Sequence, residues 1–173
     1  FDVDISADQF HKDSLDITIT TIKEALKKRF KDEQIARLGN THIIYPALSK
    51  KAYQKIIKNQ LLKINNENKK ITGLQINYSS EIEDIIYEEG VYPTLGVRPL
   101  LTTINQIIKN NIPNIIYTII NNNLKINTIY LSQVNFKEIE FLYKWNENIV
   151  FSTSFKIERT LGDLKECKKD DFQ

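Results

Sequence analysis

The apolar residues of this chain change their spacing once, and that change constrains the fold more than any single residue. Up to about Asn122 they recur at intervals of three and four, the repeat of an amphipathic helix; beyond Lys125 they alternate, the repeat of a strand with one buried face. A chain that is mostly helical first and mostly extended afterwards is expected to fold as an α/β (α+β) protein.

Within the helical part, Ser14 is read as the cap of a helix with Ile22, Ala25, Leu26 and Phe30 on one side, after an acidic, aperiodic start in which His11 sits in a polar loop. Its other side is basic, with Lys23, Lys27, Lys28, Arg29 and Lys31. A short helical turn over Asp32 to Leu38, a break at Gly39-Asn40 and a strand over His42 to Tyr45 follow, stopped by Pro46. Ser49 then caps a long helix with Ala52, Tyr53, Ile56, Ile57, Leu61 and Ile64 on one face. Ile71 to Asn77 reads as a strand, and Ser79-Ser80 opens a helix that carries Glu81, Glu83 and Asp84 at its positive end and stops at Gly90. Two further helices, Arg98 to Asn110 and Pro113 to Asn122, each have a proline in the first turn. Strands are expected around Ile126 to Val134, Phe136 to Trp145 and Ile149 to Ile157, with a hairpin turn at Trp145 to Asn148 and a charged, frayed end from Thr160 to Gln173.

The expected organisation is two packing units, residues 1–48 and residues 49–173. Among 173 residues there is no Met, and Phe1 comes first, as in a piece of a longer polypeptide.

Composition narrows the chemistry. Twenty-four Lys and Arg against 22 Asp and Glu leave a net charge of +2, too balanced to indicate nucleic acid, so the Lys23 to Lys31 side is read as a solvated face. The one cysteine, Cys167, excludes an intramolecular disulfide and a cysteine-built zinc site, and His11 and His42 are the only histidines, so no metal site is expected. No run reaches the roughly 18 to 20 apolar residues of a membrane-spanning helix. There is no G-x-x-x-x-G-K-[ST] loop, no G-x-G-x-x-G and no other complete catalytic motif.

Two arginines stand in unusual company: Arg37, closing Phe30-Lys31-Asp32-Glu33-Gln34-Ile35-Ala36-Arg37, and Arg98, in Gly90-Val91-Tyr92-Pro93-Thr94-Leu95-Gly96-Val97-Arg98-Pro99-Leu100. An arginine held by a glycine turn at a helix start can offer its guanidinium to phosphate oxygens in a bidentate grip, although on the residues alone an ordinary surface ion pair is the favoured reading of this position.

Gly90 to Leu100 resembles the sensor-two segment of the Clp-type AAA+ ATPases, which ends in G-A-R-P-L. Phe30 to Arg37 is similar to that family's F-R-P-E-F-L-N-R, and Ile43 to Leu48 to the strand and F-x-P-L exit that follow it. The likeness runs from about His11 to about Asn122. It departs from the pattern at Lys31-Asp32, Ala36, Gly39-Asn40-Thr41 and Val97, and is weakest beyond the first strand after Lys125.

The resemblance implies that residues 1–48 close an AAA+ large domain and residues 49–173 form the small lid domain with a β-rich C-terminal extension. It implies that Arg37 is an arginine finger acting on ATP bound by a ring neighbour, and that Arg98, aimed by Gly96, is the sensor-two arginine for the nucleotide of its own subunit. The parent is then a hexameric, ATP- and Mg²⁺-dependent protein unfoldase acting on unfolded or aggregated proteins. His11-Lys12-Asp13 resembles the ClpC-like version, which feeds a ClpP-like protease, rather than a ClpB-like disaggregase. Lacking the phosphate loop, the chain alone is expected to be inactive and to hold no tightly bound cofactor. A bacterial cytoplasm or an organelle matrix such as a plastid stroma suits the composition. The reading from a different class is a non-enzymatic protein-interaction module whose arginines form ordinary salt bridges.

Overall fold

The computed structural model describes residues 6–37, 39 and 42–157. The chain divides into two compact units, Phe1–Lys50 and Lys51–Gln173.

The first unit opens with α1 (Ala7–Leu15), capped by Ser6, whose side chain accepts the Gln9 N–H at 3.1 Å. From Ala7 onward the start of the chain is therefore helical, and His11 lies on a helix rather than in a loop. Helix α2 (Ile19–Lys27) is capped by Thr18, which accepts the Thr21 N–H at 3.2 Å. Ser14, expected in that role, sits in the last turn of α1 instead: its hydroxyl donates to the His11 carbonyl at 2.6 Å and accepts the Ala47 N–H at 2.8 Å. Thr18 wins the cap because its own backbone is extended directly before the helix, whereas Ser14 is still helical. Helix α3 (Asp32–Ala36) has Asp32 and Glu33 in its first turn, where the helix dipole favours them, and Lys31 N–H bonds the Gln34 side chain at 3.0 Å.

The segment His42 to Tyr45 is not a strand. An isolated strand leaves its backbone polar groups unpaired, and the first unit offers no second strand among the described residues. Side chains tie down the end of the segment instead, since Ala47 is held on its N–H by Ser14 and on its carbonyl by His11 Nδ1 at 2.5 Å.

The second unit begins with α4 (Lys50–Thr72), 23 residues long, which buries Tyr53, Ile57, Leu61, Ile64 and Asn68 along one face. Ile71, expected to open a strand, lies in the last turn of this helix and is exposed. Lys69 and Lys70 suit a helix C-terminus, and Gly73, at φ +75°, ends the helix there, its N–H bonding the Lys69 carbonyl at 3.0 Å. Strand β1 (Gln75–Tyr78) is followed by α5 (Ser80–Gly90), α6 (Arg98–Ile107), α7 (Ile112–Asn121), β2 (Thr128–Asn135), β3 (Glu138–Trp145) and β4 (Asn148–Lys156).

These strands make one sheet in the order β1-β2-β3-β4, with β1 parallel to β2 and the rest antiparallel. The β-rich extension is thus continuous with the sheet that β1 begins. The turn into β4 places Asn146 at φ 44° and Glu147 at φ 70°, the double left-handed geometry that lets a two-residue hairpin follow the strand twist. The core joins Ile76, Ile129, Leu131, Ile139, Phe141 and Tyr143 of the sheet to Ile82, Ile85 and Ile86 of α5 and Leu100 and Ile104 of α6. Helix α5 packs on both α6 and β2. No helix is long and apolar enough to cross a membrane among the described residues. The end from Thr160 to Gln173, with Cys167, lies outside the described residues.

Candidate functional site

The connection from α5 to α6 is tightly constrained at both ends. Gly90 was expected only to stop α5; it does more, because it lies where α6 presses closest. A methyl group on Gly90 would stand 3.0 Å from both Cα and Cδ1 of Leu100 and 3.2 Å from Cβ of Thr103. Only a residue without a side chain lets the two helices meet so tightly.

Past α5, the Val91 N–H bonds the Tyr87 carbonyl at 3.0 Å, and Pro93 starts a 3₁₀ turn, Pro93–Leu95, whose Leu95 N–H returns to Tyr92 at 2.9 Å. Tyr92 also bridges antiparallel to Gly96, which closes the loop on itself. Gly96 has φ 70° and ψ −145°, a backbone region essentially reserved for glycine, although nothing lies within 4 Å of where a Cβ would be. Its role is conformational rather than steric.

Val97 occupies the cap position of α6 without a side-chain cap, Arg98 is the first helical residue and Pro99 the second. Proline suits this position because its missing N–H would have had no partner. The uncapped start leaves backbone donors and the positive end of the helix dipole beside Arg98. Arg98 is exposed, its carbonyl accepts the Thr102 hydroxyl at 3.2 Å, and its guanidinium has no ion pair among the described residues. The surface ion pair that the sequence left open is not formed among the described residues.

Burial and then the nearby Glu89 carboxylate push the Tyr92 phenol up. Neither Tyr92 nor Glu89 was singled out from sequence. The signal that could have found Tyr92 is its place just before Pro93, in a loop that must fold back on itself.

Arg37 belongs to the first unit. It caps the C-terminus of α3, its N–H bonding the Glu33 carbonyl at 3.3 Å, and its side chain is exposed. Gly96 and Arg98 therefore share one turn, while Arg37 stands on a separate unit. No cluster of acidic, histidine or cysteine side chains able to hold a metal ion occurs among the described residues. Chemically, the Arg98 turn offers an exposed guanidinium at the positive end of a helix, behind a glycine that sets the turn.

Comparison with known proteins bears on the same turn. Residues 48–127 match the family model for the C-terminal, D2-small domain of ClpB protein. A curated relative, the chaperone protein ClpB of Prochlorococcus marinus, is 32% identical over 89 residues, 51% of this chain and 10% of the relative. The chain thus spans about a tenth of that relative's length. Among solved structures, a closed-state cryo-EM reconstruction of Hsp104 with ATPγS and FITC casein is 26% identical, covering 68% of this chain and 20% of that one, at a TM-score of 0.46. The Saccharomyces cerevisiae Hsp104:casein complex in its extended conformation is 26% identical, covering 67% and 20%, at a TM-score of 0.42.

Proposed function

We propose, from the membership of residues 48–127 in the ClpB C-terminal D2-small family, that this chain is the lid-bearing part of a longer Clp-type AAA+ ATPase that unfolds proteins. The observation that carries the reading is Arg98: an exposed guanidinium at the start of α6, without an ion pair among the described residues and placed just after Gly96, inside the residues that match the family.

A nucleotide supplies the phosphate charge that such a group is built to meet. Arg98 would take phosphate oxygens of ATP held by its own subunit through two parallel N–H bonds, and the rigid α5–α6 contact would carry the resulting pull into the sheet. Arg37 lies outside the matched residues, and its role rests on the Phe30 to Arg37 likeness. It would reach ATP on a neighbouring subunit of a hexameric ring and steady the charge that develops on the phosphoryl group. Neither arginine binds Mg²⁺, which, like the phosphate loop, would belong to the rest of the polypeptide.

Both sequence matches bear the ClpB name, which favours a disaggregase over the ClpC-like partner of a protease. The His11-Lys12-Asp13 likeness favours the latter, yet His11 is half-buried and spends its Nδ1 proton on Ala47 within its own unit. A ClpB-like disaggregase is therefore the reading we adopt.

The test is a split between binding and turnover in the ring-forming polypeptide. Arg98→Ala should weaken ATP binding at its own subunit, whereas Arg37→Ala should leave binding intact and cut hydrolysis by about 10³ to 10⁵. Wild-type affinity and turnover in both variants would refute the assignment.

A further inference from the structure

The net charge of +2 hides a segregation. Between Lys51 and Lys70 the chain has six lysines and one acid, Glu67, so α4 is strongly basic in a chain that is nearly neutral. All six are exposed, because the other face of α4 holds Tyr53, Ile57, Leu61 and Ile64 in the core. Lys51, Lys55, Lys58 and Lys69 fall on one line along the helix, a row about 27 Å long, with Leu62, 59% exposed, near its middle. Like charges three and four residues apart weaken a helix, so the row is a cost to the fold. Its ion pairs offset little of that: Lys58 meets Glu83 at 3.7 Å, and beside the row Lys63 meets Glu67 at 3.9 Å, both on the surface, where such pairs are weak.

A groove of about 440 Å³ runs beside the row. Lys58 and Leu62 of α4 line it with Asn77 of β1 and half-buried Tyr130 of β2, and Glu83, already paired with Lys58, reaches it too. The Lys144 ammonium lies over the Tyr130 ring, 4.8 Å from its centre.

We propose that the outer face of α4 and this groove bind single-stranded nucleic acid, with phosphates along the lysine row and bases turned toward Tyr130. Phosphates that meet a row of cations release counterions, and a base stacks on an aromatic side chain whatever its sequence. Lysine serves here as a point charge that needs no fixed geometry, and α4 has no arginine to read base edges. Two other occupants fit less well. Lysine is depleted where protein surfaces meet, and this face offers a protein partner one exposed leucine among lysines and asparagines. A membrane is a plane, and pressing it on α4 would also bring it against Glu81 and Glu83 in the first turn of α5, which the Lys58–Glu83 contact places alongside. A narrow line of phosphates avoids them. The proposal does not depend on the ATPase reading.

The test is fluorescence anisotropy of a labelled oligothymidylate, about twenty nucleotides long, titrated with the whole chain at several salt concentrations. Binding is expected, its affinity falling with salt at a logarithmic slope of about −0.7 per phosphate engaged. Lys51→Ala, Lys55→Ala and Lys69→Ala together should flatten that slope by about 2 and weaken binding about tenfold or more at low salt. Alanine favours the helix, so the variant should fold, which circular dichroism checks. Alanines in place of Lys23, Lys27 and Lys28 on α2 should leave the slope unchanged. A duplex of equal length has the higher charge density and would bind more tightly if the lysines acted alone; the groove predicts that the single strand binds more tightly. No binding at low salt overturns the proposal, and binding of phosphatidylserine vesicles in its place would assign the face to a membrane. A slope indifferent to the α4 changes, or tighter binding of the duplex, overturns it as well.

Discussion

Gly90 and Leu100 meet backbone to backbone: a methyl group on Gly90 would lie 3.0 Å from the Leu100 Cα, at the point where α5 and α6 converge behind the Arg98 turn. The backbone of Leu100 cannot swing aside as a flexible side chain could. Gly90→Ala is therefore expected to destabilise the second unit by about 1–3 kcal/mol. Urea unfolding should show a lower midpoint at unchanged slope, and a midpoint equal to wild type would mean that the helices are less tightly apposed.

Asn65 is the guard of the β1 edge. Its side-chain carbonyl receives the Ile76 N–H, and Asn65→Ala would leave that donor without its partner beside α4. A loss of about 1–2 kcal/mol is expected, with faster hydrogen exchange at the Ile76 amide. Unchanged exchange at that amide would show that the bond does not hold the strand.

Tyr78, at the end of β1, has a buried hydroxyl with no hydrogen-bond partner among the described residues, and burial raises its ionisation well above the ordinary tyrosine range. Because the folded value is the higher one, stability is complete below the unfolded value near 10 and is lost as pH rises beyond it. Tyr78→Phe should fold at least as stably as wild type at neutral pH, by up to about 1 kcal/mol, and should lose that alkaline decline. Marked destabilisation by Tyr78→Phe would reveal a partner for the hydroxyl.

Glu138 is held below the usual glutamate range, first by the Ser154 hydroxyl and then by the Asn135 amide, which bonds it at 2.9 Å. A depressed folded value means that its contribution is present above the unfolded value and fades as pH falls through the folded one. Ser154→Ala should return the Glu138 titration toward the ordinary glutamate range when followed by NMR. A titration that does not move would assign the shift to Asn135 instead.

The elements that could be read from the residues are those set by local repeat. Tyr53, Ile57, Leu61 and Ile64 fall on one helical face, and Asn146-Glu147 falls between two alternating runs, so α4 and the β3–β4 hairpin were legible. Where two local solutions compete, the residues alone do not choose. Ile71 is β-branched and adjoins a strand, but the lysines before it and Gly73 after it carry the helix past it. His42 to Tyr45 has strand-like residues and no strand to pair with among the described residues of its unit. The pairing of β1 with β2 joins segments separated by three helices, a contact no local pattern encodes. In the candidate site, Gly96 and Arg98 were legible from their order, but the closeness of Gly90 to Leu100 and the Tyr92–Gly96 bridge were not, because both depend on where α6 comes back.

The most direct measurement of the central claim is ATP-driven unfolding of a stably folded fluorescent protein by the ring-forming polypeptide, wild type against Arg98→Ala. The account predicts loss of fluorescence that requires ATP in the wild type and is abolished or severely slowed in Arg98→Ala, with the fold of the second unit unchanged, because Arg98 is exposed. Unfolding at the wild-type rate by Arg98→Ala would contradict it, and the Arg98 turn would then be a helix start and nothing more.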